Sequence, residues 1–147
     1  MTYAVFTYGT LMVASVMRAV TGREIEAEAA YVRGFERFQI LGAVYPGLLS
    51  TGRGGTAGVL YRGVDSETLA ALDRFEGDLY ERCAIEVECA AESPQRAQCW
   101  VVPASEVEQL EDTPWSLEGF ERLHLDAYLE MCREFRREDA KLYPSKR

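Results

Sequence analysis

The chain has 147 residues, of which 48% are hydrophobic and 27% are charged, and its formal net charge is -8. This length and balance predict one domain over residues 1–147 and exclude global disorder. The acidic excess argues against nucleic acid or an anionic membrane as a partner, because both require a basic surface.

The cysteine and apolar patterns predict a cytoplasmic protein with reduced thiols. No segment approaches the ~18 apolar residues of a membrane span, and residues 1–6 carry no signal-peptide pattern. Cys83, Cys89, Cys99 and Cys132 form no CxxC pair, so we expect free, buried thiols. With a single histidine, His124, the chain offers no zinc-ligand pattern, and we expect neither a metal nor a cofactor.

The first half of the chain predicts strands around one short helix. The β-branched and aromatic run Thr2–Tyr8 predicts a strand that ends at Gly9. Apolar residues over Leu11–Val20 predict a buried helix that ends at Gly22. The aromatic segment Ala30–Leu41 predicts a strand broken near Gly34, and Tyr45-Pro46-Gly47 predicts a turn.

A glycine-rich segment, Gly52–Gly58, matches the loose dinucleotide-binding pattern GxGxxA over its first six residues. That motif must lie between a strand and a helix, whereas Val59–Val64 has the composition of another strand. We therefore expect no nucleotide site here, but a flexible loop that forms a hairpin or bulged turn.

The second half adds two helices and two strands, which together with the first half predict an α+β fold. Asp65-Ser66-Glu67 predicts a helix start and Gly77 its end. Strict alternation over Arg82–Ala91 predicts a half-buried strand that pairs with Ala97–Val102 across a turn at Glu92. Further predictions are an amphipathic helix over Ser116–Ala140 and a frayed tail over residues 143–147.

Glu76 is the first candidate catalytic residue. On a helix it shares the apolar face with Leu69 and Leu72, where desolvation raises the pKa of a carboxyl group. Its place beside Gly77, at the negative end of the helix dipole, disfavours the anion further. A carboxyl group of raised pKa suits acid–base catalysis near neutral pH. The alternative is that Glu76 turns out to solvent from a fraying last turn.

Tyr8-Gly9-Thr10-Leu11 is the second candidate feature, because it ends a strand and opens a helix. Backbone N–H groups at such a junction are unpaired within the helix and favour an anion. Gly9 allows a tight turn and the close approach of a ligand. His124 is a weaker candidate: as a general base it competes with the commoner structural role of a histidine on a helix.

The two candidate features together resemble a known family. The YGTL run at Tyr8–Leu11 and the segment Leu72–Gly77 with Tyr80 and Arg82, which matches LDxFEGxxYxR, are similar to the gamma-glutamylcyclotransferase-like family, in particular its gamma-glutamylamine cyclotransferase branch. Residues 45–48 and 58–61 also resemble segments of that family, and the resemblance covers roughly residues 3–102.

The resemblance implies a compact mixed β-barrel flanked by helices. It implies that Tyr8, Gly9, Thr10 and Leu11 bind substrate and that Glu76 transfers protons. Tyr80 and Arg82, two residues apart, would share the polar face of a strand and either line the cavity or orient Glu76. The alternative for Arg82 is an ion pair with a surface acid such as Glu86.

The function implied is that of a gamma-glutamyl cyclotransferase, which releases 5-oxoproline and an amine from a small gamma-glutamyl conjugate. The branch that acts on free gamma-glutamyl amino acids has YGSN where this chain has Tyr8–Leu11, so we expect an amide or amine conjugate. The alternative is a non-catalytic small-molecule binding protein on the same fold, and a protein-interaction module is a third possibility. The sequence leaves the oligomeric state open.

Overall fold

The computed structural model describes residues 1–91 and 93–145 of the chain. Glu92 of the predicted turn and Lys146 and Arg147 of the predicted tail lie outside the described residues. The strands are β1 (Thr2–Thr7), β2 (Ala27–Gln39), β3 (Pro46–Asp65), β4 (Glu81–Cys89) and β5 (Gln95–Val101). They close into a barrel in the order β1-β3-β2-β4-β5.

The barrel is mixed, because β1 pairs with β5 in parallel and the remaining described strand pairs are antiparallel. The helices are α1 (Ala14–Thr21), α2 (Ser66–Glu76), α3 (Leu117–Leu123) and α4 (Leu125–Leu142), with 3₁₀ turns at Thr10–Met12 and Ala104–Gln109. The predicted α+β barrel with flanking helices is therefore confirmed. Among the described residues, no helix is both long and apolar enough to cross a membrane.

The glycine-rich segment is part of strand β3, so the prediction of a flexible loop was wrong. Arg33 pairs with Gly55 and Phe35 pairs with Ser50, which leaves residues 51–54 opposite Gly34 alone. The predicted break near Gly34 and the predicted bulge are thus one feature of the β2–β3 pair. Three glycines with positive φ make it sterically possible: Gly34 (81°), Gly52 (73°) and Gly54 (63°).

The predicted helix over Ser116–Ala140 is two helices, α3 and α4, because the backbone at His124 is not helical (φ −129°, ψ −13°). No glycine or proline marks this break, so local propensity predicts one continuous helix. Phe120 and Tyr128 on either side of it are both buried and pack edge to face, with ring centroids 5.2 Å apart. We attribute the break to this tertiary packing.

The predicted helix over Leu11–Val20 also begins differently. A 3₁₀ turn ends at Met12, Val13 is extended (φ −78°, ψ 118°), and α1 starts only at Ala14. The prediction for α2 was accurate: Asp65 caps it by accepting a hydrogen bond from the Thr68 N–H at 2.8 Å, and Gly77 follows its last residue.

The buried apolar residues form two clusters, one inside the barrel and one between the barrel and the helices. One consists almost entirely of strand residues, including Phe6, Leu60 and Cys99, and fills the barrel interior. The next residues along these strands face the other way and pack against α1, α2, α3 and α4. The four cysteines are present as thiols, and Cys83 lies directly opposite Cys99 on β4 and β5.

Candidate active site

A cavity of about 280 Å³ opens where the end of β1, the end of α2 and one face of α4 meet. Its walls combine backbone of the loop after β1 with aromatic side chains and one carboxyl group. The residues around it include Phe6, Thr7, Tyr8, Gly9, Thr10, Leu11, Tyr45, Pro46, Phe75, Glu76, Tyr80, Trp100, Tyr128, Met131 and Phe135. The structure thus brings Glu76, Tyr80 and the whole Tyr8–Leu11 segment to one cavity.

Glu76 is the last residue of α2 and faces the cavity from the carboxyl end of that helix. Leu69 and Leu72 on the same helix are buried and fix its rotation. Gly77 ends the helix with a φ of 78°, and its N–H bonds to the Asp73 carbonyl at 3.2 Å. The alternative of a fraying turn that carries Glu76 out to solvent is therefore not what is observed.

The carboxyl group of Glu76 has neither a hydrogen-bond donor nor a cation beside it among residues 1–91 and 93–145. The residue is half-buried, and it lines the cavity. Burial raises the pKa of Glu76 to about 8, and the negative charge of Asp73 contributes to the same shift. A carboxyl group in this state can hold or release a proton near neutral pH.

Asp73 differs from Glu76 because one oxygen of its carboxylate, Oδ1, has two hydrogen-bond donors. It accepts hydrogen bonds from Arg82 Nε at 2.8 Å and from Trp100 Nε1 at 2.9 Å. Arg82 also donates to Gln98 Oε1 at 2.6 Å and does not line the cavity. Neither lining of the cavity by Arg82 nor its pairing with Glu86 is therefore observed. Arg82 can therefore affect the pKa of Glu76 only indirectly, by pairing with Asp73.

Four contacts hold the Tyr8–Leu11 loop in place. The Tyr8 hydroxyl donates to the Trp100 carbonyl at 2.6 Å, and Arg37 Nη1 donates to the Tyr8 carbonyl at 2.8 Å. The Thr10 hydroxyl bonds to the Tyr128 hydroxyl at 3.1 Å. The Tyr61 hydroxyl donates to the Leu11 carbonyl at 2.6 Å. These contacts fix the loop against the barrel and against α4 before any ligand binds.

The backbone N–H groups of this loop are the polar surface it offers to a ligand. In the part of the chain that the structure describes, Gly9, Thr10 and Leu11 donate no backbone hydrogen bond to protein. Gly9 has φ −129°, so its glycine is not required by a left-handed backbone. An added Cβ would instead lie 2.9 Å from the Pro46 ring. The sequence predicted the close approach of a ligand at Gly9, which stays a prediction; the group that the structure places close to Gly9 is the Pro46 ring.

Tyr80 also lines the cavity, where its hydroxyl donates to the Pro46 carbonyl at 2.8 Å. It precedes β4, which starts at Glu81, so it does not share a strand face with Arg82 as predicted. Burial raises the pKa values of Tyr8, Tyr80 and Tyr128 well above that of free tyrosine. These phenols therefore stay protonated and act as hydrogen-bond donors.

The sequence reasoning missed the α4 side of the cavity. Tyr128, Met131 and Phe135 reach it from α4, and Phe75 reaches it from α2. The spacing i, i+3, i+7 on an amphipathic helix was visible, but it predicts core packing equally well. His124 is exposed at the break between α3 and α4 and is not part of the cavity wall.

The carboxylates and thiols of the described residues form no metal-binding constellation. Within residues 1–91 and 93–145, no three His, Cys, Asp or Glu side chains come together in a way that would hold an ion.

Fold and site together define a small mixed-barrel protein with a cavity lined by a carboxyl group, Glu76, that has no partner among the described residues. The chain belongs to the family described as gamma-glutamyl cyclotransferase, AIG2-like, whose model matches residues 5–121. This match confirms the resemblance predicted from the Tyr8–Leu11 and Leu72–Gly77 segments.

Several known proteins are similar over most of the chain. AIG2-like protein D of Arabidopsis thaliana is 31% identical over 138 residues, which cover 92% of this chain and 90% of the relative. A solution structure of an Arabidopsis thaliana protein superposes with a TM-score of 0.67 at 24% identity, covering 99% of this chain and 95% of the other. A structure called gamma-glutamyl cyclotransferase superposes with a TM-score of 0.62 at 15% identity, covering 90% and 87%. These structural matches demonstrate a shared fold.

Proposed function

We propose that the protein is a gamma-glutamyl cyclotransferase that converts a gamma-glutamyl amide or amine conjugate into 5-oxoproline and a free amine. One observation carries the proposal: the Glu76 carboxyl, which has no partner among the described residues and whose pKa burial raises to about 8, faces the cavity beside the Tyr8–Leu11 loop. A half-buried acid without a partner costs stability, and a protein that only needed to fold gains nothing from it.

In this reaction the α-amino nitrogen of the glutamyl group attacks its own γ-carbonyl carbon. A five-membered ring forms through the new C–N bond, and the bond between the γ-carbon and the leaving nitrogen breaks. The substrate must fold back on itself for this attack, so a closely fitting cavity accelerates it by orientation. A cavity of about 280 Å³ lies near the lower end of the ~300–1,000 Å³ range of ligand sites and suits a small conjugate.

Glu76 would move the protons that this reaction requires. The substrate arrives as an ammonium ion, whose positive charge favours the Glu76 carboxylate and lowers its pKa in the complex. The carboxylate accepts a proton as the amine becomes the nucleophile. The resulting acid then gives this proton to the leaving nitrogen, and the bond to the γ-carbon breaks. The ring nitrogen still carries a second proton from the ammonium; the regenerated carboxylate accepts it and passes it to the released amine, which leaves as an ammonium ion. Glu76 thereby returns to the carboxylate form.

The N–H groups of Gly9, Thr10 and Leu11 would bind the negative parts of the substrate. They have no protein acceptor among the described residues, and Gly9, Thr10 and Leu11 line the cavity. Either the α-carboxylate or the oxyanion that develops at the γ-carbonyl could accept hydrogen bonds from them. Donors that are held in place before the reaction stabilise a developing charge without reorganisation. Tyr8 and Tyr80, both protonated, would flank the same region.

The test is incubation of the purified chain with a panel of gamma-glutamyl amides and amines, followed by quantification of 5-oxoproline. We expect Glu76→Gln to lower turnover by roughly 10²–10⁴-fold, because Gln keeps the shape but exchanges no proton. The matched control is Glu81→Gln, an exposed acid outside the cavity, which should retain turnover. Binding of conjugates without release of 5-oxoproline would favour the alternative of a non-catalytic binding protein.

A further inference from the structure

The mouth of the cavity has an apolar wall made of Phe75, Met131 and Phe135. The rings of Phe75 and Phe135 pack edge to face with centroids 5.2 Å apart, and both are only partly buried. Met131 is 44% exposed although it lines the cavity. An apolar ligand group can cover apolar surface that is left open inside a concave site, and removing this surface from water favours binding.

The charge composition of the cavity lining also favours an uncharged ligand group. Its described lining contains no Lys, Arg or His, and its single acidic side chain is Glu76. Arg82, which the sequence predicted near the substrate, is engaged with Asp73 instead. A carboxylate carried by the leaving amine would therefore find no counter-ion in the described lining and would lie next to an acid.

The position of Phe75 connects this wall to the leaving group. In the proposed reaction Glu76 delivers a proton to the leaving nitrogen, so that nitrogen lies beside Glu76. Phe75 immediately precedes Glu76 at the end of α2 and contacts Tyr128 and Phe135 of α4. The glutamyl half occupies the Tyr8–Leu11 side, which leaves the wall of α4 and Phe75 for the substituent on the leaving nitrogen.

Building on the proposed function, we infer that the leaving amine carries an uncharged, apolar substituent, aromatic or alkyl, and no carboxylate. The substrates are then gamma-glutamyl derivatives of simple apolar amines, as opposed to gamma-glutamyl dipeptides. Phe75, Met131 and Phe135 are the residues that set this specificity.

The experiment compares three conjugates in the wild-type chain: gamma-glutamyl-phenethylamine, gamma-glutamyl-phenylalanine and gamma-glutamyl-ethylamine. The first two differ by one carboxylate, and the first and third differ by an aromatic ring. We expect kcat/KM for the phenethylamine conjugate to exceed each of the others by about tenfold or more, a discrimination of the size that pocket contacts supply. A phenylalanine conjugate turned over as efficiently as the phenethylamine conjugate overturns the inference.

Two lysine variants on one helix provide a matched test. Met131→Lys places a cation at the cavity mouth and should raise the phenylalanine-to-phenethylamine ratio of kcat/KM severalfold. Leu142→Lys adds the same charge to α4 at an exposed position outside the cavity and should leave the ratio as in the wild type. Equal ratios in the two variants would overturn the assignment of this wall to the leaving amine.

A binding measurement separates failure of this inference from failure of the proposed function. If no conjugate releases 5-oxoproline, the proposed reaction is wrong, and the melting temperature with each conjugate then tests the specificity alone. Stronger stabilisation by the phenethylamine conjugate than by the other two supports the apolar subsite. Equal or no stabilisation by the three conjugates overturns it.

Discussion

Asp73 and Glu76 lie one turn apart at the end of α2, yet their carboxyl groups have opposite surroundings. Asp73 accepts hydrogen bonds from Arg82 and Trp100, whereas Glu76 has no donor among the described residues and faces the cavity. Burial and the charge of Asp73 together raise the pKa of Glu76 to about 8. A carboxyl group whose surroundings raise its pKa is a common basis for acid–base chemistry near neutral pH.

This relationship predicts the pH profile. The carboxylate form of Glu76 accepts the substrate proton, so kcat/KM should rise with pH with a midpoint near 8 in the free enzyme. Asp73→Asn removes the nearby negative charge but keeps an acceptor for Trp100, so the midpoint should move to lower pH. The measurement is kcat/KM from pH 5 to 10 in both proteins. An unchanged midpoint would mean that Asp73 does not act on Glu76.

Arg82→Gln should have the opposite effect on the midpoint. Arg82 neutralises Asp73, so its loss strengthens the negative field at Glu76 and moves the midpoint to higher pH. Rates on the high-pH plateau should stay within a few-fold of the wild type, because Arg82 does not line the cavity. The stability cost should be below about 1 kcal/mol, since the Arg82–Asp73 pair is partly exposed. A plateau 100-fold lower would instead place Arg82 on the substrate.

Much of the fold was predictable because local signals agreed with the final structure. Asp65 and Gly77 mark both ends of α2, and alternation from Arg82 onward marks β4. The errors arose where tertiary contacts override local preference. Gly52–Gly58 has the composition of a loop, yet residues 55–58 pair with β2. We attribute the break at His124 to the packing of Phe120 on Tyr128.

The residues of the candidate site also fall into two groups, those that local sequence patterns predict and those that depend on tertiary packing. Glu76 and the Tyr8–Leu11 loop could be found because a carboxyl on an apolar helix face and a glycine after a strand are local patterns. The role of Arg82 could not be predicted, because its partners depend on how β4 and β5 pack against α2. This packing brings Arg82 to Asp73 and Gln98. The α4 wall was hidden because a helical stripe that lines a cavity has the same spacing as one that packs into a core.

The contact between Gly9 and Pro46 predicts the effect of a single methyl group. Gly9→Ala would bring a Cβ to 2.9 Å from the Pro46 ring, closer than carbon atoms approach without displacement. The loop must then shift relative to Glu76, and kcat/KM should fall by roughly tenfold or more, because misplaced groups lose the benefit of orientation.

A second substitution shows whether Pro46 is the cause. Pro46→Ala removes the ring but keeps the carbonyl that accepts the Tyr80 hydroxyl. The double variant Gly9→Ala, Pro46→Ala should recover part of the lost kcat/KM, while Pro46→Ala alone should cost little. Full activity in Gly9→Ala would contradict the steric account, and melting curves of each variant would identify a general loss of folding.

Glu76→Gln should become more stable than the wild type as the pH rises. The folded-state pKa of Glu76 is about 8 and its unfolded value is about 4.3, so between these values the folded chain binds the proton more tightly. The wild type loses stability as the pH rises through this window, up to a few kcal/mol, whereas Gln has no proton to lose. The gain of the variant should therefore grow from about pH 4.3 to about pH 8 and then level off.

Urea unfolding of both proteins at pH 5, 7 and 9 measures this gain in stability, with Glu81→Gln as the control that should show no such trend. A Gln variant less stable than the wild type at pH 9 would mean that the Glu76 carboxylate is an ionised structural partner and not a desolvated acid.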